Sequence, residues 1–123
     1  MAEIGDIKSY RDLHIWQRAK VFVVSIYKIT GTFPSSEMYG LTNQMRRAAI
    51  SIPSNIAEGF RKVSKKEKLQ FLRTAYGSGS ELETQLEISH DLAYLNKETF
   101  QRASSELDEI MRMMNKAIQS MSK

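Results

Sequence analysis

Tyr39-Gly40-Leu41-Thr42-Asn43-Gln44-Met45-Arg46-Arg47-Ala48-Ala49-Ile50-Ser51-Ile52-Pro53-Ser54-Asn55-Ile56-Ala57-Glu58-Gly59 is the stretch whose reading decides the fold. Wound as a helix, Met45, Ala48, Ile52 and Ile56 fall at i, i+3, i+7 and i+11 and form an apolar stripe. Arg47, Ser51, Ser54, Asn55 and Glu58 form a polar stripe beside it. Pro53 stands in the middle, where it removes one backbone hydrogen bond and crowds the Ala49 carbonyl. A kinked helix with two narrow seams is therefore expected.

The same period runs outward in both directions. A first helix is expected from Asp12, as N-cap, to Thr30, with Gly31 at C′. Leu13, Trp16, Ala19, Val23, Ile26 and Thr30 make one of its seams, and Ile15, Phe22 and Ile29 a second, more apolar face than one neighbour requires. Ser35 or Ser36 can cap the second helix, which ends near Gly59 or Phe60. Ser64-Lys65-Lys66-Glu67 fits a capping box and opens a long third helix reaching Leu95. Leu69, Leu72, Tyr76, Gly79, Leu82, Leu86 and Ala93 trace its seam; Gly77-Ser78-Gly79-Ser80 leaves open a break into two shorter helices. Asn96 caps a fourth helix, with Phe100, Ala103, Leu107, Ile110, Met114, Ala117 and Met121 inward. Short connections predict an all-α, antiparallel up-down-up-down four-helix bundle over 12–123, preceded by a flexible segment over 1–11.

With 123 residues and no cysteine, the chain has room for one core and no disulfide, thiolate metal site or cysteine nucleophile. Met1-Ala2-Glu3-Ile4-Gly5-Asp6 lacks the pattern of a signal peptide, no membrane span is expected, and a cytoplasmic setting fits the composition. Charge is uneven: residues 1–75 carry 13 Lys and Arg against 6 Asp and Glu, and residues 76–123 carry 5 against 8. A polyanion partner would meet the basic half.

The candidate binding residues are Arg46, Arg61, Lys62, Lys65, Lys66, Lys68 and Arg73, with Arg47 adjacent. Lys65 and Lys66 occupy the first turn of a helix, where cations oppose its dipole, which favours a functional reason; a solvated turn that keeps the protein soluble is the plain alternative. Arg47, Ser51, Pro53, Asn55 and Glu58 read as a structural seam, with Ser51 and Asn55 suited to the carbonyl that Pro53 frees. Glu87-Ile88-Ser89-His90 has the Glu-x-x-His spacing of a di-metal bundle, but Arg11 precedes His14 where a second such motif would need Glu. His90 is therefore read as a lone surface or edge histidine, and no cofactor, metal or enzymatic activity is expected. Met111 and Met113 do not share a seam, which leaves apolar surface for a partner.

Several motifs resemble the four-helix-bundle family named for proteins encoded in intervening sequences of bacterial 23S ribosomal RNA genes. They are Leu13-His14-Ile15-Trp16-Gln17, Phe33-Pro34 with Glu37, Tyr39-Gly40-Leu41, Gln44-Met45-Arg46-Arg47-Ala48-Ala49, Ser51-Ile52-Pro53-Ser54-Asn55-Ile56-Ala57-Glu58-Gly59, Phe71-Leu72, Gly77-Ser78 and Glu81-Leu82-Glu83. The resemblance implies a homo-oligomeric ring, with a pentamer the best-known arrangement. It also implies kinship with accessory proteins of diversity-generating retroelements, basic scaffolds for a reverse transcriptase and its nucleic acid. The family name marks a genomic location, not a ribosomal role. A non-enzymatic oligomeric scaffold that binds RNA, DNA or a nucleic-acid-processing protein is the expected function. A purely structural or protein-binding oligomer is the alternative, and a metal-dependent enzyme a minor one.

Overall fold

The computed structural model describes residues 7–122. Four helices build it: α1 (His14–Thr30), α2 (Leu41–Arg61), α3 (Lys65–Asp91) and α4 (Lys97–Met121), with no strand among the described residues. Each packs on its sequence neighbour, and α4 returns to α1. Directions follow from the pairs that meet. Met45 faces Ser89, Ser51 faces Ser78 and Gly59 faces Phe71, so α3 descends as α2 rises. Gly79 against Met111 and His90 against Phe100 give the same sense for α3 and α4. The expected antiparallel bundle is the fold.

Phe22, Ile26, Met45, Ile52, Leu82, Leu86, Leu107, Ile110 and Met114 are its fully buried large apolar side chains, and they come from all four helices at the expected period. Met111 is buried too, because Gly79 leaves room for its thioether beside α3. It is core, not the leftover surface that the sequence suggested. Exposed apolar side chains lie instead at Val21 and Val24 of α1, Ile50 of α2 and Ile88 of α3, and in the connections at Tyr39 and Val63.

Several helix ends differ from expectation, each for a local reason. Ser9, not Asp12, starts the chain's first turn: its hydroxyl accepts from Arg11 N–H, while the Asp12 carboxylate accepts from Ser9 N–H, over a 3-10 turn at Tyr10–Asp12. Residues 1–6 of the expected flexible segment lie outside the described residues. Gly31 ends α1 in right-handed conformation, with no left-handed turn. Ser35 and Ser36 fall in a second 3-10 turn, and α2 begins only after Gly40. Glu37 takes over at that end, accepting from Leu41 N–H at 3.4 Å and from the Tyr94 hydroxyl at 2.8 Å. The Glu37 carboxylate thereby holds the Tyr94 phenol above its ordinary pKa.

α3 stops at Asp91, short of Leu95. Ala93 takes positive φ, its N–H donates to His90 O, and Tyr94 N–H donates to Ser89 O, the Schellman arrangement that closes a helix. The chain thus leaves α3 with Ala93 outside and Leu95 in the core. Ser64 and Asn96 cap α3 and α4 as expected, accepting from Glu67 N–H and Thr99 N–H. The helix runs unbroken through Gly77-Ser78-Gly79-Ser80.

The two glycines of that run predict opposite outcomes. A Cβ on Gly77 meets open space, whereas one on Gly79 overlaps Met111 Sδ. Gly77→Ala should stabilise by about 0.5–1 kcal/mol through helix propensity. In Gly79→Ala that gain is outweighed by overpacking of about 1–3 kcal/mol, for a net loss of about 1 kcal/mol. Denaturant midpoints at equal m-value measure both. Ala93→Gly, which relieves the left-handed residue, should add about 0.5–1 kcal/mol in the same assay.

Candidate nucleic-acid interface

The α2–α3 turn sets one end of the bundle, and Gly59 makes it tight. A Cβ there would stand 3.0 Å from Phe71 Cβ and 3.4 Å from Lys68 O, so only glycine lets the first turns of α3 lie directly on the last turn of α2. This packing gathers Arg61, Lys62, Lys65, Lys66 and Lys68 at that end, with Arg73 two turns further along α3. Lys68 Nζ donates to Phe60 O at 2.8 Å and so caps the C-terminus of α2. Lys62 Nζ stands 5.3 Å from the centre of the Phe71 ring. Lys66 and Arg73 flank a shallow groove on α3 with Gln70 and Thr74. Arg61, Lys62, Lys66, Lys68 and Arg73 form no ion pair among the described residues.

The N-terminal turn adds residues that sequence reasoning left out. Tyr10 lies between two guanidinium groups, with Arg11 at 4.7 Å and Arg61 at 5.5 Å from its ring centre. Its edge meets Trp16 at 5.1 Å, and Lys20 Nζ lies 5.3 Å from the Trp16 ring. Cations and aromatic rings thus alternate from the basic end along α1. The signal was present in Ser9 and Asp12, three residues apart, which fix the turn that carries Tyr10.

Arg46 does not belong to this group. Fifteen residues before Arg61, it sits about 22 Å away along the helix axis. Its Nε donates to Thr30 Oγ1 at 2.9 Å, and its guanidinium lies 4.5 Å from the Tyr27 ring centre. It braces the C-terminal end of α1, where a cation complements the helix dipole.

The polar seam is divided as well. Ser51 Oγ pairs with Ser78 Oγ at 2.8 Å across the α2–α3 contact, and Asn55 Nδ2 donates to Ser51 O and Oγ. The amide therefore serves Ser51 and not the Ala49 carbonyl that Pro53 frees. Arg47 and Glu58 are exposed and take no part in that network. His90 stacks on Phe100 with ring centres 4.4 Å apart, Glu87 is exposed, and no group of three His, Asp or Glu converges among the described residues. Among those residues no helix is long and apolar enough to cross a membrane.

A basic-ended antiparallel four-helix bundle is the class of protein these observations define. Residues 11–116 match the model of the 23S rRNA-intervening sequence protein family, and the chain belongs to that family. A crystal structure from Bacteroides thetaiotaomicron, titled a protein with unknown function from the S23 ribosomal protein family, is similar in fold, with a TM-score of 0.80. It is 21% identical, over 85% of this chain and 95% of that one. No curated protein matches the chain.

Arg46→Ala should lower stability by about 1 kcal/mol, through removal of the cap and of the stacking on Tyr27. Thermal unfolding of parent and variant side by side checks it.

Proposed function

We propose that this protein is a non-enzymatic, self-associating scaffold of the cytoplasm whose basic end binds nucleic acid. The observation that carries it is the gathering of Arg61, Lys62, Lys66, Lys68 and Arg73 at one end without ion-pair partners among the described residues. Cations left unpaired in this way are available to phosphate oxygens, and counterion release supplies the affinity. Tyr10, flanked by Arg11 and Arg61, offers a ring on which an unpaired base can stack. We assign the binding to backbone charge and not to base sequence. Single-stranded RNA or DNA fits this better than duplex. The resemblance to retroelement accessory proteins adds a reverse-transcriptase-like enzyme as a second partner of the same end.

Self-association has its own support. Val21 and Val24 of α1 are 63% and 51% exposed, and Ile50 of α2 is 41% exposed. Apolar surface of this kind is stabilised by cover from a second copy. A homo-oligomeric ring, pentameric in the best-known arrangement, is the assembly we assign. The same apolar face favours the other reading, a protein-binding oligomer whose positive charge serves only solubility.

Titration with a single-stranded RNA at several salt concentrations separates the two. Binding is expected, with log affinity falling linearly in log salt, and reversing Lys66 and Arg73 to glutamate should reduce the slope by at least about 0.7 for each phosphate no longer neutralised. Salt-insensitive or absent binding with intact helicity would leave the protein-binding oligomer. Val24→Glu with Ile50→Glu should convert the assembly to monomer, as read by light scattering.

A further inference from the structure

The two ends of the bundle are finished differently. Where α1 passes to α2 and α3 to α4, Phe33 and Leu95 are buried, and the Phe33 ring lies 5.2 Å from that of Tyr94. At the opposite end, beneath the α2–α3 turn, a cavity of about 240 Å³, open to solvent, lies between the helices. Leu13 and Ile15 of α1, Ile56 and Phe60 of α2, Leu72 of α3 and Met121 of α4 line it, so all four helices contribute a wall.

The lining decides what can occupy it. Among the described residues, Asn55 and Lys68 are the only polar side chains on the wall, and the Asn55 Nδ2 hydrogens are already engaged with Ser51. A nucleobase or a sugar would bury more donors and acceptors than Asn55 Oδ1 and Lys68 Nζ can partner. Hydrocarbon meets no such penalty and gains by leaving water. The charge around the opening is mainly positive: Lys68 reaches the wall, and Arg61, Lys62 and Lys66 stand at the same end against Asp12, Glu58 and Glu67. Of these acids, Asp12 is held by the Ser9 N–H and Glu67 by the Ser64 cap. Lys68 Nζ spends one hydrogen on Phe60 O at 2.8 Å and keeps two for another acceptor.

We propose that this cavity binds the hydrocarbon tail of an anionic amphiphile of the fatty-acid type, with its carboxylate beside Lys68 Nζ. A dry cavity of about 150 Å³ with similar walls holds a benzene ring, so on that scale a volume of 240 Å³ takes a chain of about nine or ten carbons. The site lies within the basic end but does not depend on nucleic-acid binding there. RNA titration without amphiphile reads that function separately.

Calorimetric titration of the full chain with hexanoate, octanoate, decanoate and dodecanoate, each below its micellar concentration, tests the site. One ligand per chain is expected, with affinity rising about fourfold per added methylene and levelling off near decanoate. Lys68→Gln should weaken decanoate about tenfold and decanol much less. Decyltrimethylammonium should bind more weakly than decanoate. Ala117→Phe, which projects a ring into the cavity, should abolish binding of acid and alcohol alike; Ile15→Phe serves where that variant loses helicity. Absence of saturable decanoate binding, a flat dependence on chain length, or binding that survives a filled cavity in a folded variant would overturn the proposal.

Discussion

At Gly59, at the Ser51–Ser78 pair and at Met45 over Ser89, α2 and α3 approach each other through small side chains along most of their length. Helices that close can exclude water from their seam, and the hydroxyls in it must then pair. Ser51 and Ser78 pair with each other, Asn55 returns to Ser51, and Ser89 donates to Gln85 O at 2.7 Å, while Thr42 Oγ1 and Gln85 Oε1 are buried without a partner among the described residues. The resulting hairpin offers α1 and α4 one continuous apolar floor. Gly79 extends the same device to α4, where the missing Cβ admits Met111.

That hairpin also fixes where charge accumulates. A tight turn between two long helices brings the last residues of α2 against the first of α3, and both are basic. Lysines at a helix N-terminus sit against its dipole, but the effect is a fraction of a kcal/mol per charge at an exposed position. Burial in the hairpin outweighs it. Lys68 offsets part by turning to the Phe60 carbonyl, the negative end of the neighbouring helix. Arg18–Glu109, Arg102–Glu98 and Arg112–Asp108 pair elsewhere, and Arg61, Lys62, Lys66, Lys68 and Arg73 form no ion pair among the described residues.

Ser64 and Asn96 were legible as caps because the signal is a side chain and an N–H three residues away. The ends of α1 and α2 were not. Ser9 and Asp12 close a separate turn, and the start of α2 is held by Glu37, which is itself positioned by Tyr94 from the far side of the bundle. No window of sequence contains both partners of that contact. Ala93 fell on the apolar period of α3, yet the chain reverses there because Leu95 gains more by entering the core than α3 gains by another turn.

Taken alone, the sequence determined four helices, the face each one buries and the order in which they pair, because a 3.6-residue apolar period and short connections leave an antiparallel bundle as the solution. It also located the basic stretch after Gly59. The tertiary structure alone decided that Arg46 braces α1 while Arg61 reaches Tyr10, that Met111 is core, and that one end of the bundle stays open. Periodicity is a property of one helix and specifies a direction. Which group stands in that direction depends on how closely the neighbouring helix can come, and that distance is set by the side chains of both.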